Sequence, residues 1–135
     1  MIELEVRTTS HRELVDVTAA VNGALAEAGV RDGLVHLFVP HTTAALIVNE
    51  NADPDVGRDL LASYAELVPK IRFAHAEGNS PAHLMSTVLG PDLLLPVSGG
   101  RLRLGTWQGV FFVELDGPRR RRLWVTPNVT RPEVD

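Results

Sequence analysis

The sequence predicts an α+β fold: one domain, residues 1–135, of largely antiparallel strands with two to three helices. Three patterns predict it. Residues 1–7 alternate, with Ile2, Leu4 and Val6 set against Glu3, Glu5 and Arg7, the period of a half-buried strand. Val56, Leu60, Tyr64 and Leu67 recur at spacings of three and four behind Asp53-Pro54, the period of an amphipathic helix. From Leu93 onward, short apolar runs are broken by Ser98-Gly-Gly100 and Asp116-Gly-Pro118, which read as strands joined by tight turns.

Taken in order, the first strand ends in the polar turn Thr8–His11. Leu14, Val15 and Val17 then suggest a short returning strand, closing a hairpin. Thr18 suits the N-cap of a helix over residues 19–28, with Val21, Leu25 and Ala28 on one face and Gly29 as its stop. Asp32-Gly33 is a turn, and Leu34–Val39 reads as a buried strand. Thr42–Val48 reads as another strand. Asp53 as N-cap with Pro54 at the first helical position opens the long helix, and Pro69 stops it. Ser80-Pro81 opens a shorter helix that ends at Gly90. Leu93–Val97, Arg101–Gly105, Trp107–Leu115 (the longest) and Arg121–Thr126 then form a meander. Residues 127–135 read as a loose polar tail.

Composition narrows the function. A net charge of −4 argues against a general nucleic-acid binder. With no cysteine there is no disulfide framework and no thiolate chemistry. No apolar run approaches membrane-spanning length, so a cytoplasmic protein without membrane partners is the expectation. Lys70 is the only lysine, which removes most Schiff-base chemistry.

Histidines are the residues that suggest chemistry. His75 and His83 bracket Asn79 at a helix start, and His41 follows an apolar run in Pro40-His-Thr-Thr43. Three imidazoles with an open fourth position would suit a divalent metal, most naturally zinc. Equally, each could be a satisfied polar group in a loop or cap. Thr42 and Thr43 could satisfy the turn after Pro40 or bind a substrate oxygen. Asp53 is explained as an N-cap. Glu50 lacks such an explanation and could act as general base or orient a metal-bound histidine. In Trp107–Leu115, alternation puts Trp107, Phe111, Val113 and Leu115 on one face and Gln108, Val110, Phe112 and Glu114 on the other. The second face could line a pocket, pack against another subunit, or be an ordinary strand face. Arg119–Arg122 is either a solvated hairpin or, by alternation, a source of one or two arginines for a phosphate or a neighbouring subunit. Gly78-Asn79 before a helix would suit an anion.

Five stretches in order, Phe38-Val-Pro-His-Thr-Thr-Ala-Ala-Leu46, Asn49-Glu-Asn-Ala-Asp53, Gly78-Asn79 with Ala82-His-Leu84, Leu104-Gly-Thr-Trp-Gln-Gly109 and Glu114-Leu-Asp-Gly-Pro118, resemble the YjbQ family. The likeness runs from the first strand to about Val125. It implies a compact, sandwich-like α+β subunit, a homotrimer, and a histidine-lined site that holds metal. Carried over, the metal ligands would be His41, His75 and His83. The candidate catalytic residues are Glu50 and Gln108. Thr42, Thr43, Asp53, Asn79, Trp107, Glu114 and Arg120 are the candidate substrate-binding residues. The label used for the family, secondary thiamine-phosphate synthase enzyme, implies coupling of a pyrimidine diphosphate to a thiazole phosphate. Imidazoles favour zinc over the oxygen-bound Mg²⁺ that pyrophosphate chemistry uses. The reading is therefore a metal-dependent enzyme acting on a small phosphorylated or anionic metabolite, with that coupling as a side activity. The alternative is a non-catalytic protein that binds metal or a small ligand at the same histidines.

Overall fold

A computed structural model describes residues 1–128. Eight strands and three helices follow one another as β1 (Ile2–Arg7), β2 (Glu13–Asp16), α1 (Thr18–Glu27), β3 (Gly33–Phe38), β4 (Ala44–Glu50), α2 (Pro54–Leu67), α3 (Ser80–Leu89), β5 (Asp92–Ser98), β6 (Arg101–Leu102), β7 (Gln108–Glu114) and β8 (Arg120–Asn128). They form two antiparallel sheets, one ordered β1-β8-β3-β5-β6 and the other β2-β7-β4. The α+β fold of the sequence reading is the observed one.

Side-chain alternation explains the layering. Val35 and Leu37 of β3, Leu95 and Val97 of β5, and Leu123 and Val125 of β8 point inward from the larger sheet. They meet Leu46 of β4 and Val110 and Phe112 of β7 from the smaller sheet, with Val21 and Leu25 of α1 closing one side. The other face of the small sheet, with Ala45, Val113 and Leu115, packs under Ala82 and Met85 of α3 and the half-buried Tyr64 of α2. The small sheet is thus covered on both faces, as a sandwich with helices on one outer side requires.

That double burial corrects the reading of the β7 faces. Val110 and Phe112 are fully buried inside one chain and are not available to another subunit, whereas Trp107, expected in the core, is 63% exposed. The uncovered apolar surface lies elsewhere. It is the outer face of the five-stranded sheet, where Leu34 and Leu94 are exposed and Phe38 stacks on Trp124 with ring centres 5.7 Å apart. Leu34–Val39 is accordingly buried on alternate residues only.

Several expected connections differ. β1 and β2 do not form a hairpin: β1 pairs with β8 and β2 with β7. β7 and β8, read as a meander, belong to different sheets, and Asp116–Arg119 carries the chain from one layer to the other. The period-2 signal reports a strand's faces and is silent about its partner, which is why both pairings were misread. Only β5 and β6 make the hairpin expected at Ser98-Gly-Gly100, and β6 stops at Leu102. The longest strand is β8, not β7; Pro127 and Asn128 belong to it, opposite Val35 and Leu34. The rest of the expected tail, 129–135, lies outside the described residues.

Helix ends also shift by one residue. Val17, not Thr18, is the α1 cap, and the Thr18 hydroxyl accepts from the Val110 N–H instead. Ala28, expected on the buried face of α1, lies past its end and is exposed. Asn79, not Ser80, caps α3. Asp53 caps α2 as expected, accepting from the Asp55 N–H at 2.9 Å.

Candidate functional site

Three connections meet where β4 begins. β3 ends at Phe38, and Pro40, lacking an N–H, cannot extend its ladder. The chain then passes through His41, Thr42 and Thr43 into β4. The start of α3 brings Asn79 and His83, and the β7–β8 crossover brings Arg119. With Arg121 they border one cavity of about 560 Å³.

Its floor is a buried ion pair joining the two sheets. Glu114 on β7 is fully buried and Arg121 on β8 is 3% exposed. Arg121 Nε donates to Glu114 Oε2 at 2.8 Å and to Oε1 at 3.2 Å. Arg121 Nη2 donates to Thr43 Oγ1 at 2.8 Å and to the Thr43 carbonyl at 3.2 Å. The Thr8 hydroxyl donates to Glu114 Oε1 at 3.1 Å. Gly117 is required beside this network: a Cβ there would lie 2.5 Å from both Glu114 Oε1 and the Ser10 carbonyl. Arg121 Nη1 makes no hydrogen bond among the described residues, so a rigidly held guanidinium keeps donors for the cavity.

His41 is held by the backbone. Its Nε2 accepts a hydrogen bond from the Arg122 N–H at 2.9 Å. Partial burial, then the charges of Arg121, Arg122 and Arg119, holds its pKa below the usual histidine value and favours the neutral ring. His83 borders the same cavity and a second, smaller one of about 400 Å³ that also includes His41 and Ser86. The rings of His75 and His83 lie edge to face with centres 5.4 Å apart.

Asn79 carries the orphan of the site. Its Nδ2 donates to Asp116 Oδ2 at 3.0 Å, while its Oδ1 is buried without a partner among the described residues. That oxygen wants an N–H or O–H donor. The Asn79 amide first, then the Arg119 guanidinium, holds the Asp116 carboxyl below its usual range.

The arrangement fits the three-histidine metal only in part. Two imidazoles on one tetrahedral zinc have ring centres roughly 5 Å apart, so His75 and His83 suit such a pair. The same spacing suits edge-to-face packing of the two rings. The neutral ring of His41 has one lone pair, and the Arg122 N–H occupies it. Among the described residues no group of three His, Asp or Glu side chains is arranged to hold a metal ion. A shell of all three histidines therefore does not fit.

The remaining expected residues sit apart. Glu50 and Gln108 face each other at the far end of the β4–β7 ladder. Six residues of strand separate Glu50 from Ala44, roughly 20 Å. Glu50 and Asp53 instead rim a cavity of about 400 Å³ with Glu13, Asp16, Leu61 and Phe111. Gln108 Oε1 accepts from the Gly105 N–H, and Trp107 is exposed beside it. Arg120 points from the outer face of its sheet toward Glu5, at 3.8 Å, away from the cavity. Glu114 belongs to the floor and is shielded from a ligand by Arg121. The sequence reading offered the run Arg119–Arg122 as a source of one or two arginines for a phosphate but named Arg120 for the site, where the structure brings Arg119 and Arg121; it did not single out Asp116. A signal for Arg121 was present, since alternation puts it in phase with the apolar Leu123 and Val125.

The family model described as UPF0047 protein YjbQ-like matches residues 2–129. UPF0047 protein MJ1081 of Methanocaldococcus jannaschii is 44% identical over 93% of this chain and 91% of its own. UPF0047 protein YugU of Bacillus subtilis is 43% identical over 90% and 94%. Among solved structures, an uncharacterized conserved YjbQ/UPF0047 protein of Clostridium acetobutylicum has a TM-score of 0.90 at 43% identity, covering 95% of this chain and 100% of its own. The conserved hypothetical protein TT1486 of Thermus thermophilus has a TM-score of 0.88 at 50% identity, with the same coverage.

Proposed function

The chain belongs to the YjbQ-like UPF0047 family, and from that premise and the cavity we propose an enzyme acting on a small phosphorylated or otherwise anionic metabolite. The observation that carries the reading is the convergence of Arg121, Arg119, His41 and His83 on one cavity in an acidic protein, where they outnumber Glu77 in the same lining. Arg121 is fixed in place before any ligand arrives, so binding an oxyanion costs little reorganisation. The orphaned Asn79 Oδ1 adds a demand for a donor, which a hydroxyl or N–H on the same metabolite would meet. His83, beside both, is the side chain placed to give or take a proton.

A divalent ion, zinc by the preference of imidazole donors, would be held by His75 and His83 and would supply Lewis acidity when bound; with its lone pair on the ion, His83 would then be a ligand and not the proton carrier. The coupling of a pyrimidine diphosphate to a thiazole phosphate is kept as a side activity, because both substrates are phosphorylated. We further propose a cytoplasmic homotrimer. Among the described residues no helix is long and apolar enough to cross a membrane. The uncovered outer face of the five-stranded sheet is the surface that would carry assembly. Light scattering should then give about three times the 14.7 kDa chain mass, falling to one chain in Leu94→Glu.

Turnover of a panel of phosphate esters, that coupling included, tests the enzyme reading. His83→Ala should lower turnover at least tenfold while the fold is kept. Binding of phosphorylated ligands without turnover of any would assign the chain to the alternative, a non-catalytic ligand-binding protein. Neither binding nor turnover would overturn both.

A further inference from the structure

The backbone near His41 has a gap that the imidazole fills. The β3–β8 ladder runs to Phe38↔Trp124 and stops before Pro40, the residue that register would set opposite Arg122, while the Val39 N–H on the other side of the strand still reaches the Pro91 carbonyl. Two residues along β8, the Arg122 N–H would therefore face an absent strand. His41 Nε2 supplies the missing acceptor at 2.9 Å. A backbone amide can only donate, so Nε2 must present its lone pair and the ring proton must sit on Nδ1. A doubly protonated ring would set two N–H groups against each other, with Arg119, Arg121 and Arg122 nearby to disfavour the added charge.

We propose that His41 stands outside any metal shell and is a neutral donor, fixed in the Nδ1–H tautomer by the Arg122 backbone, that hydrogen-bonds through Nδ1–H to an oxyanion held by Arg121. The oxyanion half rests on the function proposed above; the tautomer and the exclusion from a metal shell do not. The sheet edge thus programs the site. A single hydrogen bond that satisfies an orphan amide also decides which ring nitrogen faces a ligand, without any change of protonation. The ligand class follows: an oxygen acceptor such as phosphate or carboxylate, since a donor or a cation would meet N–H groups from both His41 and Arg121.

The test uses the intact chain. Nitrogen-detected spectra of its histidine side chains should show His41 with a protonated Nδ1 and an unprotonated Nε2. Titration with zinc chloride should leave those two signals in place, whether or not His75 and His83 respond. Inorganic phosphate is then titrated calorimetrically into two variants. His41→Asn puts an amide N–H near the Nδ1 position and should stay within about threefold of the wild type. His41→Gln can keep the acceptor for Arg122 but loses the donor, and should weaken phosphate roughly ten- to a hundredfold. Protonated Nε2, or His41 signals that move on zinc binding as ligands do, would overturn the proposal. So would equal phosphate affinity in both variants. If the wild type binds no phosphate, the oxyanion half falls with the functional reading, and the spectra alone decide the tautomer and the metal exclusion.

Discussion

At the Ala44↔Glu114 end of the β4–β7 ladder, a carboxylate is sealed against the Thr8 hydroxyl, a guanidinium that Thr43 holds, and a glycine that leaves no room for a Cβ. At the Glu50↔Gln108 end, a carboxylate of the same chemistry sits with Glu13, Asp16 and Asp53 around an apolar groove, beside an exposed Trp107. The first end holds its charge with a built counter-charge and polar partners. The second spreads four carboxylates and the Arg58 guanidinium around a groove open to solvent. The difference shows that motif density is not proximity. Asn49–Asp53 and Trp107–Gly109 accompany the histidine motifs along the sequence, but seven-residue strands carry them to the opposite end of the layer.

Removing a carboxylate from each end separates the two most sharply. Glu114→Ala would leave Arg121 charged and buried without compensation. That should cost about 3–5 kcal/mol in urea unfolding. Replacing both partners by apolar residues, Glu114→Met with Arg121→Met, should recover most of the loss, because a buried pair is seldom worth more than good packing. If Glu114→Ala alone cost under about 1 kcal/mol, the sealed end would be no different from the open one.

How much of this was legible in the sequence follows from what each signal reports. Alternation, apolar runs, three-four spacing and the Ser80-Pro81 helix start together found each strand and helix, since burial of a face and capping are local properties of the chain. Partners were not legible: β7 and β8 follow each other across a short turn, yet they belong to different layers. The cavity was legible where one residue type marks it, as at His41, His83 and Asn79. At Arg119–Arg122 it was legible only as a run, because Arg121 looks like its three neighbours until strand phase sorts it inward and Arg120 outward. Glu50 was singled out because it lacked a local job. Its strand position, not its chemistry, keeps it from the histidines within one chain.

A smaller effect should appear in the pH dependence of stability. The His41 pKa is lowered in the folded chain, so the unfolded chain binds the proton more readily. Stability from this group is complete above about 6.5 and is lost as pH falls through that value toward the lower folded one. The lowered Asp116 carboxyl acts in a separate window, below about 3.8. Urea midpoints from pH 8 to pH 5 should therefore decline in the wild type and decline less in His41→Gln. An unchanged slope would mean that the neutral ring is not what the fold selects.

The smallest expected effect is at the open end, and it is the one that decides whether the two ends work together. Glu50→Gln removes a half-buried charge that makes no side-chain hydrogen bond or ion pair among the described residues. Its stability should change by no more than about 0.5 kcal/mol, and phosphate affinity at the histidine end should not change at all. Within one chain, roughly 20 Å of strand leaves no route for a proton between Glu50 and His83. A fall in turnover of any substrate in this variant, with phosphate affinity and fold intact, would then require a second chain to bring Glu50 to its neighbour's cavity. That result would join the acidic groove of one subunit to the arginines of the next. Loss of the same turnover on dissociation by Leu94→Glu would confirm it, and undiminished turnover in Glu50→Gln would leave the cavity at the sealed end working alone.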